Sequence, residues 1–398
     1  MEKKSYLILY LLLFTSYPVY AHQEYVYPIA QINENIVMMI HQKSYDDLEL
    51  LLWDRHEGTA CRELTSMYIP SCVQLLPSKK AFSFIDRGRV RIKSFSKRTP
   101  RAIDIYEPIY AIYSMQWLTD DEFYFVGKNY GKLSIFLCDT SDRGAVIFSL
   151  TPHNELDYMY PCKVEDSLFC IAKDTTLTYS IVTLLWAPTL YEHTPYEHTS
   201  YEHSQHVQKL IISHDKPLCF LHMDSKTSGF VLECLDQQLT NDFLHFSCCS
   251  VHYENDTWNL TKLFEFKIPS KFLIGSNEDK VYETLIPFLP RYTPEWIYFA
   301  NYDDESENCI IQRYNHAHNT IEFVTDTSRS LADFNHVFSP LIINDTLYCG
   351  FLFSEKMPSA FRNSCRHFLH IDETTGSIFC KLPQVSLVAV DRPCGKFG

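Results

Sequence analysis

The sequence predicts an all-β fold in which one short module is copied around a ring, and three observations predict it. The first is a recurring phrase: polar, turn-forming residues, then a run of about four apolar ones. It reads T-D-D-E-F-Y-F-V at 119–126, N-E-N-I-V-M-M at 33–39, S-K-K-A-F-S-F-I at 78–85 and V-E-D-S-L-F-C-I at 164–171. It returns as S-H-D-K-P-L-C-F-L at 213–221, T-P-E-W-I-Y-F-A at 293–300 and N-D-T-L-Y-C-G at 344–350. An apolar run of this kind cannot alternate inside and outside, so it predicts a strand buried on both faces. The second observation is a strand ending in aspartate, a turn with glycine, then another strand, at 50–64, 134–150 and 367–382. Asp54, Asp139 and Asp372 suit the turn starts, and Gly58, Gly144 and Gly376 suit positions needing positive φ. The third is spacing: most copies lie roughly 40 to 50 residues apart, the period of four-stranded propeller blades. The expectation is a β-propeller of seven four-stranded blades, with six to eight compatible with the spacing.

Around the opening phrase the chain reads Trp117-Leu118-Thr119-Asp120-Asp121-Glu122-Phe123, and Trp53-Asp54 closes an earlier strand. These residues resemble the TolB-like and tryptophan-aspartate-repeat β-propellers, whose blades carry a tryptophan, a polar turn and an apolar strand. The sequence departs from that pattern: no copy has Ser-Pro-Asp-Gly, and the chain holds 11 glycines. The resemblance implies propeller architecture. The propeller-containing peptidases that the chain partly resembles carry a separate hydrolase domain, for which this sequence shows no nucleophile motif.

Taken in order, the chain opens with Lys3 and Lys4, an apolar core at 6–14, Pro18, and Val19-Tyr20-Ala21 before His22. That is the pattern of a secretory signal peptide over 1–21, and the apolar run is shorter than the roughly 20 residues a spanning helix needs. Residues 22–398 are expected to form one propeller domain, secreted or periplasmic. Aromatic residues make up 15%, which suits sheets packed face to face. A net charge of −14 disfavours nucleic acid and anionic membrane.

Residues 87–101, R-G-R-V-R-I-K-S-F-S-K-R-T-P-R, are basic on this acidic background. Arg89, Arg91 and Lys93 alternate, so they share one face of a strand. They read as a docking stripe for an acidic partner or a polyanion, or as a solvated edge strand guarded against aggregation. At 190–206 three pentads, Y-E-H-T-P, Y-E-H-T-S and Y-E-H-S-Q, precede His206. This low-complexity stretch predicts a loop inserted in the fold. His193, His198, His203 and His206 are candidate ligands for a divalent metal such as zinc or copper. A tandem duplication with no selected chemistry is the simpler account, and no other cofactor is expected. Residues 237–285 fill a double-length gap and read as an eighth, degenerate blade or an insertion in the fifth. Asn255, Asn259 and Asn344 each open an Asn-x-Thr acceptor pattern.

All 14 cysteines lie after the leader. Cys138, Cys170, Cys219, Cys349 and Cys380 sit inside apolar runs, where cysteine serves as a small hydrophobe. Cys61, Cys72, Cys162, Cys365 and Cys394 lie nearer strand ends and suit one or two bridges. The sequence holds no G-x-S-x-G, H-E-x-x-H, G-x-x-x-x-G-K or C-x-x-C pattern. Asp86, Asp174, Asp224 and Asp303 follow apolar runs and either cap turns or point to one end of a central channel. The expected function is a monomeric, non-catalytic scaffold for a protein or peptide partner, with no membrane insertion. The alternative is a propeller hydrolase or lyase with a metal or acidic cluster in the channel.

Overall fold

The computed structural model describes residues 25–380, apart from 45–46, 55, 57–58, 67–70, 87–88, 98–99, 104–111, 130, 141–144, 151–155, 186–207, 236–241, 271–287, 306, 325–333, 344–345, 354–368 and 373–376. The described residues are almost all strand. The chain begins with β1 (Tyr25–Gln31), β2 (Ile36–Ser44), β3 (Asp47–Asp54) and β4 (Thr59–Ser66). Next come β5 (Ser71–Leu75), β6 (Ala81–Asp86), β7 (Arg89–Ser94) and β8 (Arg101–Ala102). Then follow β9 (Ile112–Trp117), β10 (Glu122–Asn129), β11 (Lys132–Asp139) and β12 (Ala145–Leu150). The middle holds β13 (Asp157–Val164), β14 (Ser167–Lys173), β15 (Tyr179–Leu185), β16 (Gln208–His214), β17 (Leu218–Met223), β18 (Ser228–Cys234), β19 (Phe243–Glu254) and β20 (Thr257–Pro269). The last are β21 (Arg291–Tyr292), β22 (Trp296–Asp303), β23 (Asn308–Asn315), β24 (Thr320–Phe323), β25 (Phe334–Ile343), β26 (Thr346–Phe353), β27 (Leu369–Asp372) and β28 (Ser377–Cys380).

Consecutive strands pair antiparallel in fours, and the whole is a β-propeller. Strands β5–β8, β9–β12, β13–β16 and β17–β20 make four separate four-stranded sheets. The remaining strands join in one sheet of twelve. The expectation of seven blades is corrected to six, within the six to eight that the spacing allowed. Hydrogen bonds cross between neighbouring runs where β23 meets β25 in parallel at Cys309 and His336, and where β1 meets β26 at Tyr25–Leu352 and Val26–Phe351. The edge of β26 opposite β25 is shared, with β27 on Leu347 to Cys349 and β1 on Phe351 and Leu352.

The apolar phrase explains why the sheets stack. Phe123, Tyr124, Phe125 and Val126 on β10 are all at most 2% exposed. Phe123 and Phe125 enter one core with Ile85 and Val90, while Tyr124 and Val126 enter another with Leu168 and Cys170. On β14, Leu168 and Cys170 face that second core, and Phe169 and Ile171 face a third with Val231 and Val251. Each second strand is thus sandwiched between two neighbouring sheets. Burying each large apolar side chain contributes about 1.5–3 kcal/mol.

The polar half of the phrase closes the hairpin from first to second strand. Thr119 Oγ1 accepts from the backbone N–H of Glu122 at 2.9 Å. Asn33 Oδ1 does the same for Ile36 at 2.8 Å, and Thr293 Oγ1 for Trp296 at 3.1 Å. A side-chain acceptor at the turn start fixes the register of the strand that follows. Asp54 Oδ1 likewise holds the N–H of His56 at 2.9 Å, as expected of a turn aspartate. Gly58, Gly144 and Gly376 lie outside the described residues.

Six copies of the phrase fall on second strands, and one does not. Residues 218–221 belong to β17, a first strand; the buried second strand of that sheet is β18, S-G-F-V-L-E-C. The double-length gap is corrected too. Its described part is neither a further blade nor an insertion but β19 and β20, the long third and fourth strands of the same sheet. Among the described residues no helix is long and apolar enough to cross a membrane.

Candidate functional site

The first strands stand together about the axis: β1 neighbours β5, β5 neighbours β9, and β13 neighbours β17. A cavity of about 260 Å³ opens between them, with walls from β5, β9, β13 and β17 and from Tyr124 on β10. All four of these strands are irregular beside the cavity, β9 with its shift between Ser114 and Ile112. The register also shifts between Ser71 and Gln74, between Met159 and Cys162, and between Leu218 and Phe220. Tyr160, inside the β13 bulge, has φ of 49° in the left-handed region. Bulges re-aim side chains that strict alternation would place elsewhere.

Several polar groups in the wall are held. Gln74 Nε2 donates to Met115 O, and the Tyr124 hydroxyl lies on Gln116 Oε1 and 3.1 Å from Pro161 O. Cys162 Sγ accepts the Met223 N–H at 3.3 Å, and burial pushes its thiol up from the ordinary value. A thiol kept protonated is a poor nucleophile. Cys162, expected near a bridge, is a free thiol, as are Cys138, Cys170, Cys219 and Cys349. The side chains of Cys61, Cys72 and Cys380 lie outside the described residues, as do Cys365 and Cys394 entirely.

At one end of the wall is a cluster that no local motif announces. His222, on β17, lines the cavity, and its Nε2 lies 3.0 Å from Asp224 Oδ1. Tyr292, on β21, stands near enough to the Asp224 carboxylate to feel its charge. Desolvation raises the Tyr292 phenol above its usual range, and the Asp224 charge adds to it. The rings of His222, Phe230 and Tyr292 lie 5.1 to 6.0 Å apart, centroid to centroid. His316, in the turn after β23, stands edge-on to Tyr292 at 5.2 Å and to Tyr314 at 5.7 Å. Partial burial lowers the His316 imidazole, and the Asp224 charge partly opposes it.

The four aspartates named from sequence do not converge. Asp174 caps its own turn, accepting from the N–H groups of Thr176 at 2.9 Å and Thr178 at 2.8 Å. Asp303 ends β22 opposite Asn308, and the Asp86 side chain lies outside the described residues. Asp224 differs because it follows a first strand rather than a second one, which puts it beside the channel. The missed partners, His222, Tyr292 and His316, come from three separate strands or turns. The one available signal was His222-Met223-Asp224 itself, an imidazole and a carboxylate two apart.

His193, His198, His203 and His206 lie outside the described residues. Among the described residues no three His, Cys, Asp or Glu side chains are placed to hold a metal ion. The basic stretch is corrected on both of its readings. β7 is an interior strand paired to β6 and β8, so it is not an edge. Arg89 is exposed but Lys93 is 5% exposed, its Nζ donating to Lys97 O at 3.3 Å, so the alternating face is not one open stripe.

No family model matches the chain, and no curated protein does. Among solved structures it is similar to a puromycin-hydrolysing peptidase of Mycobacterium tuberculosis, with 9% identity, TM-score 0.59, and coverage of 92% of this chain and 54% of that one. It is also similar to the β-propeller domain of the Trilobed protease from Pyrococcus furiosus, with 8% identity, TM-score 0.52, and coverage of 90% and 98%. A third is TolB from Acinetobacter baumannii, with 9% identity, TM-score 0.41, and coverage of 84% and 64%. The chain spans about half the length of the peptidase and nearly all of the isolated propeller domain. At such identities the first two likenesses show the propeller fold and nothing of the activity.

Proposed function

We propose that the chain is an exported, monomeric propeller scaffold that binds a protein or peptide partner in the channel cavity without turning it over. One observation supports this most: the cavity wall is built from the first strands of four sheets, and Gln74, Tyr124 and Cys162 in it are hydrogen-bonded within the fold. Groups so held recognise shape and hydrogen-bonding pattern at little ordering cost. The test is a displayed peptide library selected on the chain lacking residues 1–21, with hits measured by calorimetry. Hits should bind one-to-one, and Ser114→Trp, which fills the cavity, should weaken them at least about tenfold. Binding indifferent to that substitution, or cleavage of the peptide by the wild type, would overturn the reading.

A second reading, a hydrolase or lyase at the channel, is favoured by the His222–Asp224 pair at 3.0 Å beside the cavity. A hydrolytic activity abolished by His222→Ala would support it. Divalent-metal capture by His193, His198, His203 and His206 is a separate proposal. Elemental analysis with and without residues 191–206 decides it: metal lost with the deletion assigns it to the pentads.

A further inference from the structure

Asp224 follows β17, and its carboxylate is oriented by His222, Nε2 to Oδ1 3.0 Å. Its carboxylate accepts from His222, using one of roughly four lone-pair positions. Among the described residues its ion-pair partner is His222, with no lysine or arginine against it. Lys226, in the same turn, reaches away instead, its Nζ 2.7 Å from Glu165 Oε2. The Asp224 side chain is 25% exposed, so it is open to an incoming group. Around it stand the rings of His222, Phe230 and Tyr292, packed too closely on one another to admit a ligand between them. They act as an apolar backing that strengthens the carboxylate's field on its open side. His316, exposed and edge-on to Tyr292, offers a flat surface next to that side.

We infer that Asp224, with Tyr292 and His316, is a recognition position for a basic side chain, arginine above lysine, of the peptide that enters the channel. The inference rests on the peptide-binding reading and deepens it. A guanidinium donates to a carboxylate while its plane lies on a neighbouring ring, which an ammonium cannot do. The net charge of −14 draws a cationic partner towards the surface before docking.

The experiment uses N-acetyl-arginine methylamide and its uncharged counterpart N-acetyl-citrulline methylamide. Each is titrated into the chain while the imidazole proton resonances of His222 and His316 are followed. The arginine probe should shift both resonances saturably and bind at least about fivefold tighter than the citrulline probe, as a charge-assisted bond requires. Asp224→Asn, its fold checked by circular dichroism, should abolish the difference. Tyr292→Phe, which keeps the charge, should weaken the arginine probe only a few-fold. Equal binding of the two probes, no saturable shift, or an unchanged arginine preference in Asp224→Asn would overturn the inference. If library peptides still bind and are lost with Ser114→Trp, that failure leaves the channel reading standing; if they too fail to bind, both fall.

Discussion

Replacing Gly229 by alanine should loosen the propeller at the seam that carries His222. Gly229 is the second residue of β18 and pairs with Met223 of β17. A Cβ built there would lie 2.2 Å from the His222 carbonyl oxygen and 2.8 Å from the Met223 Cα, where ordinary contact begins near 3.4 Å. Both obstacles are backbone, so no side-chain rotation relieves them. The strands must part by roughly 1 Å locally, which carries one or two ladder bonds beyond hydrogen-bonding length. Each lost bond costs about 0.5–1.5 kcal/mol and overpacking adds about 1–3, for a total of about 1.5–6 kcal/mol. Urea unfolding should show a lower midpoint at unchanged slope. Gly131→Ala is the control. Its φ is +85° with nothing within 4 Å of the added Cβ, so only backbone strain of about 1–2 kcal/mol is felt. A Gly229→Ala protein within about 0.5 kcal/mol of the wild type would refute the steric argument.

Three further outcomes are expected. Trp117→Phe removes the indole N–H bond to the buried Ser83 Oγ, 2.6 Å long, and should lower stability by about 1–3 kcal/mol in the same unfolding assay. Phe299→Ala empties a fully buried site stacked on Phe264 at 4.2 Å and should cost about 3–5 kcal/mol, read as a fall in Tm. Asp174 is held below its ordinary value of 3.8, first by the Thr176 hydroxyl and then by the Thr178 and Thr176 N–H groups. Because the folded value is depressed, its bonds stabilise the fold above the unfolded value and are lost as pH falls through the folded one. The stability gap between wild type and Asp174→Asn should stay level above about pH 5 and close in more acidic solution, measured by unfolding at stepped pH.

The fold was legible where two codes coincide. At 119–126 the polar residues make a turn and the apolar run needs two buried faces, and both demands are met by a second strand between neighbouring sheets. The reading slipped at 213–221, because Asp215-Lys216-Pro217 before Leu218 imitates the polar opening of the phrase. The true second strand opens instead with Ser228-Gly229, a glycine required by close backbone approach rather than by a turn. The basic stretch misled for a related reason. Alternation told which residues share a face of β7 but not that this face is partly covered, with Lys93 buried. The cluster at Asp224 was half visible. Its aspartate was named, but Tyr292 and His316 reach it only through the circular placement of separate strands, which sequence spacing does not encode.

The shared edge of β26 sets the order in which the molecule can be completed. Tyr25 and Val26 wait for partners at Leu352 and Phe351, more than 300 residues further along. During synthesis at roughly 5–20 residues per second, the opening strand emerges well before its counterpart exists. The ring is therefore sealed last by its earliest part, and a bulky fusion placed immediately ahead of Tyr25 would act on that final step rather than on any single sheet.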